Sequence, residues 1–321
     1  LIYVKINNKK LNIFKNIEYI KMDCCCCTET FNNKIKKINK LNIKIPECRC
    51  GDSIRFEGSI YKTLLKNNNC KCKQFFLGDP INYKCYNITE DDKIKTQEFC
   101  KKTDTTFYIH CPFVANLAKD DCHKSIEVLS NELNVVKDLP AACVLHIGKV
   151  GTIKNVADNL NYLTNIGKLP ISTDTKVPFK LLLENAAGQG TELGKNWEEI
   201  RHLYEALDHT KIGICIDTQH AFASNMCSFQ THQDVVNLFD EASYITKQGI
   251  SMIHLNDSLK PIKSNVDRHA PVSKGHIWYK EKESFETLLD FAYGNCIDLI
   301  SETSDPNNDI DIINNYMNNN I

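Results

Sequence analysis

Six apolar runs in this chain end on, or one residue before, a side chain that can bind a metal. Ile212, Ile214 and Ile216 lead to Asp217, and His220 follows three positions later. In the same way His110 closes TFYIH, His146 closes ACVLH, Glu184 closes KLLLE, His254 closes SMIH and Glu302 closes DLISE, while Asp267 and His269 lie in the loop beyond His254. Taken singly, each has a plain structural reading. A histidine at a strand end is usually a satisfied core group, Glu184 or Glu302 could cap a following helix, and Asp267-Arg268-His269 could be an exposed loop. Together they are five histidines and four carboxylates, and burying that much polarity uncompensated is costly; coordination of cations is the usual remedy. At three or four ligands per ion and one shared carboxylate, nine donors serve three ions. Imidazole with carboxylate suits zinc, with manganese or iron as substitutes. Four carboxylates and a hydroxide against three divalent ions leave a slightly cationic site, which fits a phosphodiester.

These residues need elements that bring them together. Short β-rich runs are expected at 53–58, 73–78, 106–111, 142–148, 180–185, 211–217, 251–256 and 298–303. Between them helical periodicity is expected at about 59–69, 90–103, 118–138, 154–167, 196–208, 230–247 and 282–293. Apolar strands alternating with helices imply parallel strands covered on their outer face. A doubly wound open sheet would give the same alternation, but eight units over about 260 residues match an α/β fold of the (β/α)8 TIM-barrel class. In such a barrel the C-terminal strand ends share one rim, so all nine side chains can converge there.

Composition excludes some classes. The 321 residues are 42% hydrophobic and 25% charged, ordinary for a soluble globular chain. No run approaches the ~20 apolar residues that span a bilayer. The start, LIYVKINNKK, shows no secretory signal, so an intracellular, cytoplasmic location is expected, nuclear or virion-associated if the source is a eukaryote or a large DNA virus. Most of the 16 cysteines, ten of which precede residue 101, are therefore expected to be reduced thiols. The run Cys24–Cys27 and the pairs CRC and CKC lack the usual zinc-knuckle spacing. Residues 1–45 hold ten lysines against Glu18, Asp23 and Glu29, a net +7 in a chain of net charge −1. Residues 1–47 read as a basic, Lys/Asn-rich, Cys-containing extension, able to touch nucleic-acid phosphates or simply solvated; residues 48–321 read as the barrel.

The segments HCPFVANLA (110–118), LLLENAAGQGTELG (181–194), GICIDTQHAFA (213–223), HLNDSLKPIKSNVDRHAPVSKG (254–275) and ISETSDP (300–306) resemble the endonuclease IV family of apurinic/apyrimidinic (AP) endonucleases, in order from about residue 48 to 306. The resemblance implies a three-zinc enzyme that cuts DNA 5′ to an abasic site, leaving a 3′-hydroxyl and a 5′-deoxyribose phosphate. It implies that His110, His146 and Glu184 hold the first zinc, that Glu184, Asp217, His254 and Glu302 hold the second, and that His220, Asp267 and His269 hold the third. A hydroxide shared by the first two would attack, with Glu184 bridging and Glu302 orienting it. Phe113 and Val114 stand where the family opens the DNA stack, and Arg268 is the nearby basic contact. Double-stranded DNA with abasic or damaged sites is the expected partner and a monomer the expected state. 3′-end trimming, exonuclease activity and nicking at oxidised bases stay open.

The sequence departs from the family pattern at its first strand, which lacks a histidine, at GDPINY (78–83), which lacks Arg/Gln-rich probing residues, and at Gln219, where a small residue or Cys is common. Two other readings are a divalent-metal sugar isomerase or epimerase on a related barrel and a non-catalytic DNA-binding scaffold. The first does not need the third metal group that DTQH and VDRH would build; loss of a bridging carboxylate would have favoured the second.

Overall fold

The computed structural model describes residues 49–320, apart from 68, 69 and 85, together with 4–6 and 9–11. In the N-terminal part, β1 (Val4–Ile6) and β2 (Lys9–Leu11) pair antiparallel. The remainder of the expected extension, including Cys24–Cys27 and most of its lysines, lies outside the described residues.

Eight parallel strands close into a barrel. They are β3 (Cys50–Ser53), β4 (Cys72–Phe75), β5 (Thr106–His110), β6 (Ala141–His146), β7 (Leu181–Glu184), β8 (Ile212–Asp217), β9 (Ile250–His254) and, after a small ribbon of β10 (Asp257–Ser258) and β11 (His269–Ala270), β12 (Asp298–Ser301), which closes on β3. The helices are α1 (Ile60–Lys66), α2 (Glu90–Thr103), α3 (His123–Val136), α4 (Ile153–Asn165), α5 (Trp197–Glu205), α6 (Thr218–Ala223), α7 (His232–Thr246), α8 (Lys282–Gly294) and α9 (Pro306–Asn320). Ser59, Thr89, Thr152, Asn196 and Thr231 each accept a hydrogen bond from a first-turn backbone N–H, which explains where α1, α2, α4, α5 and α7 begin.

The two-residue period of the strands sorts the side chains into two apolar layers. Ile212, Ile214 and Ile216 face outward with Ile109, Leu145, Leu183 and Ile253, and meet the inner faces of the helices through Leu129, Leu160, Leu203, Leu238 and Leu288. Each such buried side chain contributes roughly 2 kcal/mol. The alternate positions Cys72, Tyr108, Ala142, Val144, Leu182, Cys215, Met252 and Ile300 fill the lumen. Beneath this plug a bidentate pair closes the barrel floor: Arg49 Nε and Nη2 each lie 2.8 Å from an Asp298 carboxylate oxygen, and the Tyr108 hydroxyl donates to Asp298 Oδ2 at 2.7 Å.

Two strand expectations need correcting. The first barrel strand is Cys50–Ser53, not 53–58, and the second ends at Phe75 rather than at Gly78. The β3 sequence, CGDS, carries no apolar run, because its neighbours demand something else. A Cβ at Gly51 would collide with the Cys72 carbonyl, and Asp52 neutralises the buried Lys73 ammonium at 2.6 Å. The more strand-like Ile54 and Phe56 belong to the loop beyond, where Phe56 stacks on Phe75 with ring centres 5.8 Å apart. No helix among the described residues is long and apolar enough to cross a membrane, and no two described cysteines form a disulfide.

Candidate metal centre

Two residues beyond each lumen-filling side chain, the strands place the next inward-facing group. Tyr108 is followed by His110, Val144 by His146, Leu182 by Glu184, Cys215 by Asp217, Met252 by His254 and Ile300 by Glu302. The sequence pattern therefore makes one polar ring above one apolar plug. Parallel register aligns its members: His146 pairs with Glu184 across β6 and β7, and Asp217 with His254 across β8 and β9. The second pairing depends on a register shift after Ile214, where the β9 partner advances from Ile250 to Met252. Such a bulge re-aims the strand end.

The last members arrive on loops. Asp217 is the N-cap of α6, its Oδ1 accepting from His220 N at 2.8 Å, so the cap fixes where His220 stands. The β10–β11 ribbon pairs Ser258 with His269 and folds Asp267 and His269 back over the mouth. Asp257 anchors that loop from below, accepting from the backbone N–H groups of Ser258 and Ile277 at 2.7 and 2.8 Å.

All nine expected ligands converge. Glu184 Oε2 lies 3.3 Å from both His110 Nε2 and His146 Nε2, and Glu184 Oε1 lies 3.0 Å from His254 Nδ1. His254 Nδ1 is also 3.2 Å from Glu302 Oε2 and 3.9 Å from Asp217 Oδ2. On the outer side Asp267 Oδ2 stands 3.5 Å from His220 Nε2, and Asp267 Oδ1 stands 3.3 Å from His269 Nε2. Ligand atoms group within 4.8 Å of one another as His110–His146–Glu184, as Glu184–Asp217–His254–Glu302 and as Asp217–His220–His269. Asp217 thus faces the outer pair as well as the second group, 3.5 Å from His269 Nε2.

The rings are held so that one nitrogen is tied back and the other faces inward. His110 Nδ1 is 2.7 Å from the Cys111 carbonyl and His220 Nδ1 is 2.9 Å from the Asn185 carbonyl, which leaves both Nε2 atoms facing carboxylates. Glu184 Oε2 and His269 Nε2 are buried without a hydrogen-bond partner. Orphaned buried polar atoms of this kind, in a shell of imidazole and carboxylate, fit divalent cations of the zinc type.

Electrostatics point the same way. Burial disfavours charge on Glu184, but His254, His146 and His110 outweigh it and hold its carboxyl well below the usual range. Burial likewise opposes protonation of His220, which Asp217, Asp267 and Glu184 overcome, raising it well above an ordinary imidazole. His269 is raised to about 9, against its burial, by Asp217 and Asp267. Burial dominates at His146, which drops to about 4. The carboxylates call for positive charge at the centre, from protons or from metal.

The expected DNA-contacting residues lie on this rim. Phe113 is 45% exposed, and its ring makes edge contacts with Phe76, His110 and His146 at 5.2–5.6 Å. Val114 is half-buried, its carbonyl accepting from the Tyr83 hydroxyl at 2.7 Å, and Arg268 is exposed. Gly188 and Gly190 both take positive φ in the loop after β7, and Gln189 Oε1 accepts from Asp267 N at 3.3 Å, joining that loop to the β10–β11 ribbon.

Sequence reasoning missed three buried amides beneath the ligands. Asn185 Oδ1 accepts from Asp217 N at 2.7 Å, Asn256 Nδ2 donates to Asp217 Oδ2 at 2.7 Å, and Gln74 touches both His254 and Glu302. Their one sequence signal is position: each sits on, or one or two residues beyond, an inward strand position. Apart from this centre, Cys111, Glu132 and Cys143 meet wholly buried between the barrel and α3, where burial lifts Glu132 to about 7.

Residues 64–316 match the family model described as xylose isomerase-like TIM barrel. The chain is 29% identical to a probable endonuclease 4 of Aquifex aeolicus, over 80% of this chain and 92% of that protein. It is also 29% identical to apurinic-apyrimidinic endonuclease 1 of Plasmodium falciparum, over 94% of this chain but only 51% of that longer protein. Among solved structures, endonuclease IV from Thermus thermophilus superposes with a TM-score of 0.70 at 21% identity, covering 84% of this chain and 99% of that one. The chain belongs to the xylose isomerase-like TIM-barrel family, and within it resembles the endonuclease IV members.

Proposed function

We propose that this chain is a zinc-dependent AP endonuclease that hydrolyses the phosphodiester 5′ to an abasic site in double-stranded DNA. The observation that carries the reading is the set of ligand groups sharing Glu184, together with the Asp267-bearing outer group, at one barrel mouth. The outer group is what a one- or two-metal sugar epimerase would not require.

His110, His146 and Glu184 would hold one ion, Glu184, Asp217, His254 and Glu302 a second, and His220, Asp267 and His269 a third. Bound there, zinc would lower the pKa of water to about 7 and neutralise charge developing on the phosphate. Glu184 presents one oxygen to His110 and His146 and the other to His254, which suits a carboxylate shared between two ions. Glu302 turns Oε2 toward the centre, where as a base it would orient the attacking hydroxide. The hydroxide oxygen bonds to phosphorus as the bond to the 3′ oxygen breaks, and the 3′ oxygen leaves as an oxyanion that takes a proton from solvent, giving a 3′-hydroxyl on one side of the nick and a 5′-deoxyribose phosphate on the other. Phe113 with Val114 would fill the gap left by the missing base, and Arg268 would pair with phosphate. Residues 1–47 would be a basic arm separate from the catalytic unit of 48–321.

The test is a duplex carrying one abasic analogue. A single nick 5′ to the lesion, abolished by chelation and restored by zinc, supports the reading; turnover that survives exhaustive chelation, or no nick with metal replete, rejects it.

A further inference from the structure

β4 contributes to the polar ring by the same alternation as its neighbours. Cys72 sits in the lumen plug, and two residues on, Gln74 is fully buried at the level of the ligands. Its amide lies between two of them: Gln74 Oε1 is 2.9 Å from His254 Nε2, and Gln74 Nε2 is 2.6 Å from Glu302 Oε1.

These contacts fix each other's polarity. An ionised carboxylate only accepts hydrogen bonds, so the amide must turn its NH2 to Glu302 and its oxygen to the ring. The amide oxygen in turn accepts only from a protonated nitrogen, so His254 Nε2 carries hydrogen. The lone pair of the neutral ring then belongs to Nδ1, the atom that faces Glu184, Glu302 and Asp217 at 3.0, 3.2 and 3.9 Å. By holding Glu302 Oε1, the same amide leaves Oε2 aimed at the centre. One side chain thereby sets the tautomer of one ligand and the rotamer of another, both in the Glu184–Asp217–His254–Glu302 group.

We propose that Gln74 is a positioning residue that determines the affinity of this second metal position. The inference rests on the metal-dependent reading above and concerns a residue outside the nine ligands. Supporting groups of this kind typically change metal affinity by about 10–100-fold.

The experiment uses the full chain loaded with zinc, and compares wild type with Gln74→Met, which keeps the shape but neither hydrogen bond, and Gln74→Glu, which keeps an acceptor for His254 but sets a like charge against Glu302. Zinc content is measured after equilibration with graded competing chelator, and the His254 ring N–H by NMR of protein labelled with 15N-histidine. The expected result is that both variants release one zinc at roughly 10–100-fold lower chelator than wild type while keeping two, and that the slowly exchanging His254 Nε2–H signal is lost in Gln74→Met alone. Should Gln74→Met fail to fold, the chelator curve of Gln74→Glu decides. Three zincs held as tightly as in wild type, with the ring signal intact, would overturn the role of Gln74 and leave the metal-dependent reading standing. A wild-type chain that takes up no stoichiometric zinc would overturn both.

Discussion

Asp217 and His220 are joined by a hydrogen bond of 2.8 Å from the His220 backbone N–H to Asp217 Oδ1, so the residue that ends β8 also starts α6. The other oxygen, Oδ2, accepts from Asn256 Nδ2 at 2.7 Å and looks toward His254 and His269. A single carboxylate thus sets the geometry of the loop with one atom and faces the candidate metals with the other.

Those two duties separate by substitution. Asparagine caps helices about as well as aspartate, so Asp217→Asn should keep thermal stability in the metal-free protein while losing bound metal and most cleavage. Asp217→Ala should also lose the cap, at a cost of about 1 kcal/mol. Equal melting temperatures for the two metal-free variants would show that the cap contributes nothing.

Glu302 should matter for rate more than for fold. It lies at the open edge of the ring, its backbone N–H donating to Asn256 Oδ1 at 2.9 Å whatever its side chain is. Glu302→Gln should unfold at a similar denaturant concentration but cut an abasic duplex at least about 100-fold more slowly, the lower end of what a positioned acid or base supplies. Near-native turnover would remove Glu302 from the reaction.

Metal uptake should release protons. In the metal-free protein Asp217 and Asp267 beside them raise His220 well above the ordinary imidazole range and His269 to about 9, so at neutral pH these rings carry protons that a metal must displace. Zinc affinity should therefore fall as pH drops through neutrality, and titrations at pH 7 in buffers of different ionisation enthalpy should give different apparent heats. Identical heats in every buffer would mean that no proton leaves.

Glu132, remote from the ring, makes a stability prediction of defined sign. Burial raises its pKa from an ordinary 4.5 to about 7 in the folded chain, so its contribution is fully present below pH 4.5 and is lost as pH rises toward and through 7. The loss approaches about 3 kcal/mol. Glu132→Gln, neutral throughout, should gain stability relative to wild type between pH 5 and pH 8 in urea unfolding. A pH-independent difference would show that Glu132 is ionised in the fold or titrates normally.

What could be read in the sequence follows from what alternation reveals. Where a strand is apolar on both faces, as in Ile212–Asp217 or Leu181–Glu184, its terminal charged residue is conspicuous, and its rung in the barrel follows from the period of two. The first two strands hid because they bury charge inside the barrel wall: Lys73 answers Asp52, and Gly51 answers the Cys72 carbonyl. Helix α6 hid because its six residues sit inside a loop and follow directly on Asp217, a residue already assigned to chemistry. Gln74, Asn185 and Asn256 hid because an amide bears no charge to mark it; only the folded register shows which atoms it touches.

If nine side chains hold three cations at one barrel mouth, crystals of the zinc-loaded chain measured on both sides of the zinc absorption edge should show them. Three anomalous peaks are expected, one against His110, His146 and Glu184, one against Glu184, Asp217, His254 and Glu302, and one against His220, Asp267 and His269. Peaks absent from that ring, or lying only on cysteines elsewhere in the chain, would contradict that arrangement.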